Sequence, residues 1–135
     1  MVFGIGSDIA HIPRFERLYA KQGVRFAAHI LTPSELAQFQ KRHAQNHARG
    51  VRFLATRFAA KEAFSKACGL GIRMPMHWHT VQVVNLPSGR PTMQGLGAMA
   101  AWLDERQLHC HLTISDELDY AIAYALLETQ GNPNT

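Results

Sequence analysis

The sequence has few cysteines and no long apolar run, and both shortages narrow the classes of protein that it can encode. Its two cysteines, Cys68 and Cys110, are too few for the disulfide framework of a small secreted domain. No apolar run approaches the roughly 20 residues that a transmembrane helix needs. The first ten residues lack a positively charged segment and include Asp8, so we do not expect a signal peptide. The sequence therefore predicts a cytoplasmic protein without a membrane segment.

Acidic residues are also scarce relative to basic ones. Ten Asp and Glu residues stand against fourteen Lys and Arg residues, which gives a net charge of +4 and a pI of about 9.4. This balance favours anionic partners, namely nucleic acids, phosphorylated small molecules or acidic proteins. The 135 residues contain no internal repeat and no linker. We expect a single domain over residues 1–128, followed by a disordered tail at 129–135.

The strongest helical pattern extends from Val51 to Gly71. A helix of about 17 residues, or roughly 25 Å, is predicted from Arg52 to Cys68. Gly69 stands where a glycine commonly ends a helix. Apolar residues occupy most faces of this helix, so it should be covered on most sides. Its middle nevertheless carries four charged residues, which need a partner, a pocket or a ligand: Arg57, Lys61, Glu62 and Lys66.

The segments before this helix alternate between strand and helix patterns. Val2 to Ile9 is typical of a strand whose two glycines allow another backbone to approach closely. A helix is predicted from Pro13 to about Gly23. Thr32, Pro33 and Glu35 have the spacing of a capping box at the start of another helix, which gives Glu35 a structural role. The polar, basic tract 41–50 is predicted to be a loop.

The segments after the central helix predict strands and one further helix. We expect a strand at residues 80–86, a turn at 87–89, a second strand at 90–93, a helix at 95–108 and strands at 109–115 and 120–128. The small residues Ala121, Ala123 and Ala125 form one face of the last strand, which suggests close packing against a helix or another subunit. The predicted class is α+β, with a mostly antiparallel sheet packed on the long central helix.

Three carboxylates are candidates for chemistry: Asp8, Glu62 and Asp116. Carboxylates that converge with lysines nearby can hold Mg²⁺ together with a substrate diphosphate. Structural alternatives remain open from spacing alone. Asp8 could be a turn or N-cap residue, and Glu62 could form an ion pair with Lys66 one helical turn later.

Four ordered blocks of sequence resemble those of a known family: GIGSDI at 4–9, ILTPSE at 30–35, RFAAKEAFSKACGLGI at 57–72 and TISDELDYA at 113–121. The chain resembles the holo-acyl-carrier-protein synthases, the small trimeric branch of the phosphopantetheinyl transferases, from about Val2 to Glu128. The resemblance implies Mg²⁺-dependent transfer of 4′-phosphopantetheine from coenzyme A to a serine of apo acyl carrier protein. The other product is adenosine 3′,5′-bisphosphate. It also implies a homotrimer with active sites between neighbouring subunits, which would account for the small-residue face of the last strand.

The resemblance also implies roles for individual residues. Asp8 and Glu62 match Mg²⁺ ligands and, with Lys66, are the expected catalytic residues. The residues expected to bind coenzyme A are Arg57, Lys61, Lys66, Ser115 and Asp116. The expected docking surface for the acidic carrier protein is formed by Arg14, Arg17, Lys21 and Arg25. Asp116 replaces a histidine found in many members, and we interpret it as a variant metal or water ligand. The proton of the acceptor serine would pass to a metal-bound water or to a carboxylate such as Glu35.

Two other functional classes fit parts of the sequence less well. The basic tract from Lys41 to Arg52 could belong to a module that binds nucleic acid or an acidic protein without catalysis. No nucleic-acid-binding motif accompanies this tract, and the other basic residues are scattered over several elements, so we expect no nucleic acid partner. The histidine pairs at 77/79 and 109/111 lack paired cysteine spacing, so a zinc site is not predicted.

Overall fold

The computed structural model describes residues 1–130, which form five helices and five strands. In chain order these elements are β1 (Val2–His11), α1 (Ile12–Gln22), α2 (Val24–Ile30), α3 (Pro33–Gln45), α4 (His47–Cys68), β2 (Val81–Asn85), β3 (Pro91–Gly95), α5 (Ala98–Glu105), β4 (Leu108–Glu117) and β5 (Tyr120–Thr129). None of these helices is long and apolar enough to cross a membrane.

The strands form two antiparallel sheets. The larger sheet has the order β1-β5-β4, and β2 pairs with β3 in a separate hairpin. Helix α4 packs against β1 and β5, and most of its residues are buried. The expected α+β class, with antiparallel strands around a long central helix, is confirmed. Thr129 still belongs to β5, and its N–H donates to the carbonyl of Met1 at 2.9 Å. The N–H of Gln130 donates to the carbonyl of Gln107 at 2.9 Å, and residues 131–135 of the predicted tail lie outside the described residues.

Glycines in β1 allow this strand to lie directly on α4. A Cβ atom at Gly4 would lie 2.0 Å from the carbonyl oxygen of Ala67, and one at Gly6 would lie 2.1 Å from that of Ala63. Both distances are far shorter than any van der Waals contact, so only glycine fits at either position. The close approach that the sequence predicted for this strand is therefore present, and it brings the end of β1 to the charged middle of α4.

The face of β5 that carries small side chains is buried in the interior of the protein. Ala121, Ala123 and Ala125 are completely or almost completely buried, and β5 contacts α4. Of the two alternatives left open for this face, packing against a helix is confirmed, and a subunit interface is not what accounts for these small side chains. The opposite face of the same sheet carries exposed apolar residues instead, among them Ile5, Ile9, Ile122 and Tyr124.

The basic tract at 41–50 is helical, so the prediction of a loop there was wrong. Helix α3 continues to Gln45, and α4 begins at His47 and has 22 residues, five of them before the predicted start. Asn46 separates the two helices and caps the second, because its side chain accepts a hydrogen bond from the N–H of Arg49 at 3.0 Å. Sequence reasoning also missed α2, which follows α1 after Gly23 with a positive φ of 66°.

Candidate active site

Asp8 and Lys66 meet where β1 crosses α4. The Nζ atom of Lys66 lies 3.3 Å from Oδ1 of Asp8 and donates a hydrogen bond to the carbonyl oxygen of Ser7 at 2.9 Å. The Asp8 side chain is only 17% exposed, whereas that of Lys66 is 52% exposed. The second carboxylate oxygen of Asp8, Oδ2, is buried and has no hydrogen-bond partner among the described residues. A buried carboxylate oxygen that carries negative charge and accepts no hydrogen bond is well suited to bind a cation.

Glu62 lies one helical turn before Lys66 and faces the same site. Burial raises the pKa of Glu62, the negative charge of Asp8 raises this pKa further, and Lys66 partly offsets both effects. A carboxylate whose pKa is raised by the charge of a second carboxylate is close enough to share a divalent cation with it. Lys66 forms its ion pair with Asp8, so the structural alternative of a pair between Glu62 and Lys66 does not describe the arrangement.

Lys61 does not face the site, which corrects its prediction as a ligand of coenzyme A. Its side chain is 0% exposed, and Nζ donates to three acceptors: the carbonyl oxygens of Ile30 at 2.8 Å and Trp78 at 2.7 Å, and Oε1 of Glu35 at 2.6 Å. All three of its N–H bonds are therefore used inside the core. Burial lowers the pKa of Lys61, and the neighbouring Glu35 partly offsets this effect.

The side chain of Glu35 is also buried in the core, and both of its oxygens accept hydrogen bonds there. The predicted capping box is confirmed, because Oε1 of Glu35 accepts from the N–H of Thr32 at 3.0 Å and the Thr32 hydroxyl accepts from the N–H of Glu35 at 3.3 Å. Its Oε2 atom accepts from the N–H of Val83 at 2.9 Å. A carboxylate that is 1% exposed and fully bonded cannot reach a substrate hydroxyl. Glu35 is thereby excluded as the proton acceptor.

A second charged region lies farther toward the N-terminus of α4. We call it the arginine cavity, and it has a volume of about 340 Å³. Four arginines line it together with Phe53, Thr56, Asn85, Pro91, Ile114 and Asp116: these are Arg42, Arg49, Arg52 and Arg57. Four guanidinium groups beside a single carboxylate make the cavity strongly attractive to anions such as phosphate.

Arg57 and Arg42 pack against the same aromatic ring of the cavity. The guanidinium of Arg57 lies 4.1 Å from the centre of the Phe53 ring, and that of Arg42 lies 4.5 Å from the same ring. Burial lowers the pKa of Arg57 to about 10; Glu35 raises this pKa and Arg42 lowers it. Arg57 therefore stays protonated at neutral pH. Its Nε atom is buried without a hydrogen-bond partner among the described residues, so an incoming anion would gain an unused donor.

Asp116 and Ser115 lie apart from the Asp8 carboxylate. Asp116 forms an ion pair with Arg52 at 3.0 Å and belongs to the arginine cavity. Its interpretation as a metal or water ligand is not supported, because its carboxylate is paired with Arg52. Ser115 lines a neighbouring cavity with Ile9 and Tyr120, on the exposed face of the sheet. Of the residues predicted to bind coenzyme A, Asp116 shares the arginine cavity with Arg57 and the neighbouring cavity with Ser115.

The four cations predicted to dock a carrier protein are all solvent-exposed. Arg14, Arg17 and Lys21 lie on α1, and Arg25 lies on the adjoining α2. None of them forms an ion pair within residues 1–130. Glu16, the only acidic residue of α1, contacts His47 at the start of α4 instead. This face of the molecule therefore presents positive charge without internal compensation.

Sequence reasoning missed three members of the arginine cavity: Arg42, Arg49 and Arg52. Their signal was present, since Arg49, Arg52 and Thr56 recur at intervals of three and four residues and thus share one face of a helix. The signal was hidden because the central helix was predicted to begin only at Arg52. Recognising Asn46 as an N-cap would have extended the helix and aligned these residues.

Known proteins resemble this chain over nearly its whole length. Residues 4–125 match the family described as the 4′-phosphopantetheinyl transferase superfamily. Because the match spans most of its length, the chain belongs to this superfamily. Among curated proteins, the holo-[acyl-carrier-protein] synthase of Bordetella pertussis is 53% identical over 133 residues, which cover 98% of this chain and 87% of that protein. The resemblance seen in the four sequence blocks is confirmed.

Solved structures of the same kind share the fold. The holo-[acyl-carrier-protein] synthase from Neisseria meningitidis has a TM-score of 0.86 and 38% identity, with 96% of this chain and 100% of that chain covered. The holo-(acyl-carrier-protein) synthase from Bacillus anthracis, solved in complex with CoA (3′,5′-ADP), has a TM-score of 0.78 and 32% identity, with 96% and 99% covered.

Proposed function

We propose that this chain is a holo-[acyl-carrier-protein] synthase, which transfers 4′-phosphopantetheine from coenzyme A to a serine of apo acyl carrier protein. The observation that carries the proposal is the meeting of Asp8, Glu62 and Lys66 at the crossing of β1 and α4, in a member of the phosphopantetheinyl transferase superfamily. We further propose that residues 1–128 act as one catalytic domain. Cys68 and Cys110 are free and buried, which suits a reaction carried out in the reducing cytoplasm.

Asp8 and Glu62 fit a Mg²⁺ ion. The unpartnered Oδ2 atom of Asp8 supplies one oxygen ligand. The pKa of Glu62 is raised first by burial and then by the charge of Asp8, and a divalent cation would relieve the second effect. Mg²⁺ in proteins takes one or two carboxylates and fills its other positions with water and substrate phosphate oxygens. When bound, the ion would neutralise charge on the diphosphate of coenzyme A.

The reaction forms a phosphodiester bond between the serine oxygen and the β-phosphorus of coenzyme A. The bond from that phosphorus to the bridging oxygen breaks, the electron pair leaves with adenosine 3′,5′-bisphosphate, and the proton of the serine passes to water. Lys66 is half-exposed and held by Asp8 and the carbonyl of Ser7. Its ammonium group is thus placed to stabilise negative charge that develops on the phosphate oxygens.

The arginine cavity is proposed to bind phosphate groups of coenzyme A away from the reacting bond. Arg57 offers its unused Nε–H donor, and Arg42 adds positive charge beside the same aromatic ring. Binding energy from such remote groups can position the reacting diphosphate. Lys61, by contrast, holds the core of α4 and has no proposed contact with substrate.

The carrier protein is proposed to dock on the cationic face formed by Arg14, Arg17, Lys21 and Arg25. These exposed cations would attract an acidic partner over a distance of about 10 Å at moderate salt.

We also propose that the chain forms a homotrimer through the exposed face of the larger sheet. Ile5 and Ile9 on this face are 68% and 60% exposed. Contiguous apolar residues of this size are typical of protein interfaces. Active sites would then lie close to the boundaries between subunits.

Intact-mass spectrometry tests the proposed reaction directly. Apo acyl carrier protein would be incubated with this protein, coenzyme A and Mg²⁺, and in parallel with an excess of EDTA. We expect the carrier to gain the mass of one phosphopantetheine group only without EDTA. A folded preparation that modifies none of several acidic carrier proteins would refute the proposed activity. Transfer that persists in EDTA would refute the metal requirement alone.

A further inference from the structure

Arg52 connects α4 to the hairpin between β4 and β5. Its Nη1 atom donates to Oδ2 of Asp116 at 3.0 Å, and its Nη2 atom donates to the carbonyl oxygen of Leu118 at 2.9 Å. A guanidinium group is planar, so two acceptors on two different nitrogens fix both its position and its plane. Arg52 is therefore the most firmly oriented side chain of the arginine cavity.

The hairpin that holds Arg52 is itself rigidly held. The N–H of Ile12, at the start of α1, donates to the carbonyl oxygen of Asp119 at 2.7 Å. Leu118 adopts a φ of +42°, a left-handed conformation that is unfavourable for leucine and persists only when the surroundings impose it. Leu118 is the first residue of a two-residue turn between the paired residues Glu117 and Tyr120, and such turns require a positive φ. The hydrogen bonds from Arg52 and Ile12 to the consecutive carbonyl groups of Leu118 and Asp119 then hold this turn in place. Asp116 and Leu118 thus form a fixed platform for the guanidinium group.

The cavity gives a physical reason why Arg52 needs such a platform. Arg52 shares the cavity wall with Arg42, Arg49 and Arg57, and like charges at close range repel one another. An arginine side chain that is 35% exposed could relieve this repulsion by turning into solvent. The carboxylate of Asp116 opposes that motion. Arg52 has five N–H donors and the hairpin engages two nitrogens, so donors remain available for an anion.

We propose that Asp116 is a positioning residue for coenzyme A, which together with the carbonyl of Leu118 holds Arg52 against the arginine cavity, where Arg52 binds a phosphate group. The inference rests on the proposed function and specifies the contribution of Asp116 to it. Asp116 acts through Arg52 and contacts neither the metal nor the reacting phosphorus. Its negative charge weakly opposes phosphate binding, and the ordering of Arg52 outweighs that opposition.

Steady-state kinetics of four variants test this role, with coenzyme A varied at saturating carrier protein. Asp116→Ala should raise the KM for coenzyme A about tenfold, the loss of one hydrogen bond to a charged group, and leave kcat within about twofold. Asp116→Asn retains an oxygen acceptor and should recover most of the affinity. Arg52→Lys keeps the positive charge but cannot reach both acceptors, so it should resemble Asp116→Ala. Arg57→Ala serves as the reference for the cavity itself.

Binding of adenosine 3′,5′-bisphosphate, measured by calorimetry, should change in parallel with KM. An unchanged or lower KM in Asp116→Ala would overturn the proposal, and a lower value would show that the carboxylate only repels phosphate. A large loss of kcat at normal KM would overturn it in favour of a role at the metal. If Arg57→Ala binds the bisphosphate normally, the arginine cavity does not bind phosphate. The proposed role of Asp116 is then refuted as well. Should Asp116→Ala not fold, Asp116→Asn and Arg52→Lys still decide between these results.

Discussion

Lys61 donates a 2.6 Å hydrogen bond to Glu35 in the interior of the protein, and neither side chain is exposed by more than 1%. The same two groups bind backbone atoms of Ile30, Trp78 and Val83. One buried ion pair therefore ties α4 to the end of α2, the start of α3, the loop before β2 and β2 itself. The next residue after Lys61 is Glu62, so this pair also fixes the rotation of the helix that presents the carboxylate.

Breaking this pair from one side should strongly destabilise the folded protein. Lys61→Met should cost about 3–5 kcal/mol, because it leaves the Glu35 carboxylate buried and uncompensated. The double variant Lys61→Met/Glu35→Gln should recover most of that loss, since it removes the charge and keeps an oxygen acceptor. Urea unfolding would measure both, with Lys21→Met as the control for the same change on the surface. Equal costs for Lys61→Met and Lys21→Met would contradict the interpretation.

Glu62→Gln should abolish transfer and yet stabilise the metal-free protein at neutral pH. The folded protein raises the pKa of Glu62 above its unfolded value, so the folded state binds a proton more tightly there. Stability from this group is therefore present below the unfolded pKa and is lost as the pH rises through the folded pKa. A neutral amide removes this loss and is also a poor Mg²⁺ ligand.

Thermal unfolding of the same variant separates the two effects. We expect Glu62→Gln to have a higher Tm than the parent protein in EDTA. Mg²⁺ should raise the Tm of the parent but leave that of the variant unchanged, because a ligand stabilises only the state that binds it. A variant that is less stable in EDTA, or that still gains stability from Mg²⁺, would contradict the assigned environment of Glu62.

Gly6→Ala should separate β1 from α4 and disable the site without touching a charged group. The added Cβ atom would lie 2.1 Å from the carbonyl oxygen of Ala63, a backbone atom that cannot move aside alone. We expect a loss of about 1–3 kcal/mol, typical of overpacking, and a lower kcat because Asp8 moves with its strand. Ser7→Ala is the matched control, since Lys66 contacts only the backbone of Ser7. Normal stability and turnover in Gly6→Ala would show that this contact does not position the site.

Reversing charge on α1 should weaken use of the carrier protein selectively. The double variant Arg14→Glu/Arg17→Glu should raise the KM for the carrier protein and flatten its dependence on salt, while the KM for coenzyme A stays the same. The reversed charges no longer attract the acidic carrier protein, which raises the KM, and salt then has less attraction to screen, which flattens the profile. Arg73→Glu/Arg90→Glu, a reversal of two exposed charges outside α1, controls for total charge. A salt profile that matches this control would exclude α1 as the docking surface.

Local signals in the sequence predicted much of the fold correctly. The capping box at Thr32 and Glu35, the terminating glycine at position 69 and the strand alternation depend on neighbours within a few residues. The predicted start of the central helix was wrong because it depended on one capping residue, Asn46. This residue lies between two helices in a polar tract, where the sequence pattern resembles a loop. The helical spacing of the cavity arginines was also readable, but only once the helix was known to begin at His47.

The sequence by itself determined the family, the α+β class, the central helix and the candidates Asp8, Glu62 and Lys66, because ordered motifs and helical spacing are properties of the chain. Tertiary structure alone decided which charged residues of α4 face a site. Lys61 and Glu62 are adjacent in sequence, yet a helix rotates successive side chains by about 100°, so one enters the core and the other faces Asp8. The partner of each charge lies in another element, at Glu35 for Lys61 and at Asp116 for Arg52. Periodicity within one helix contains no information about those distant partners.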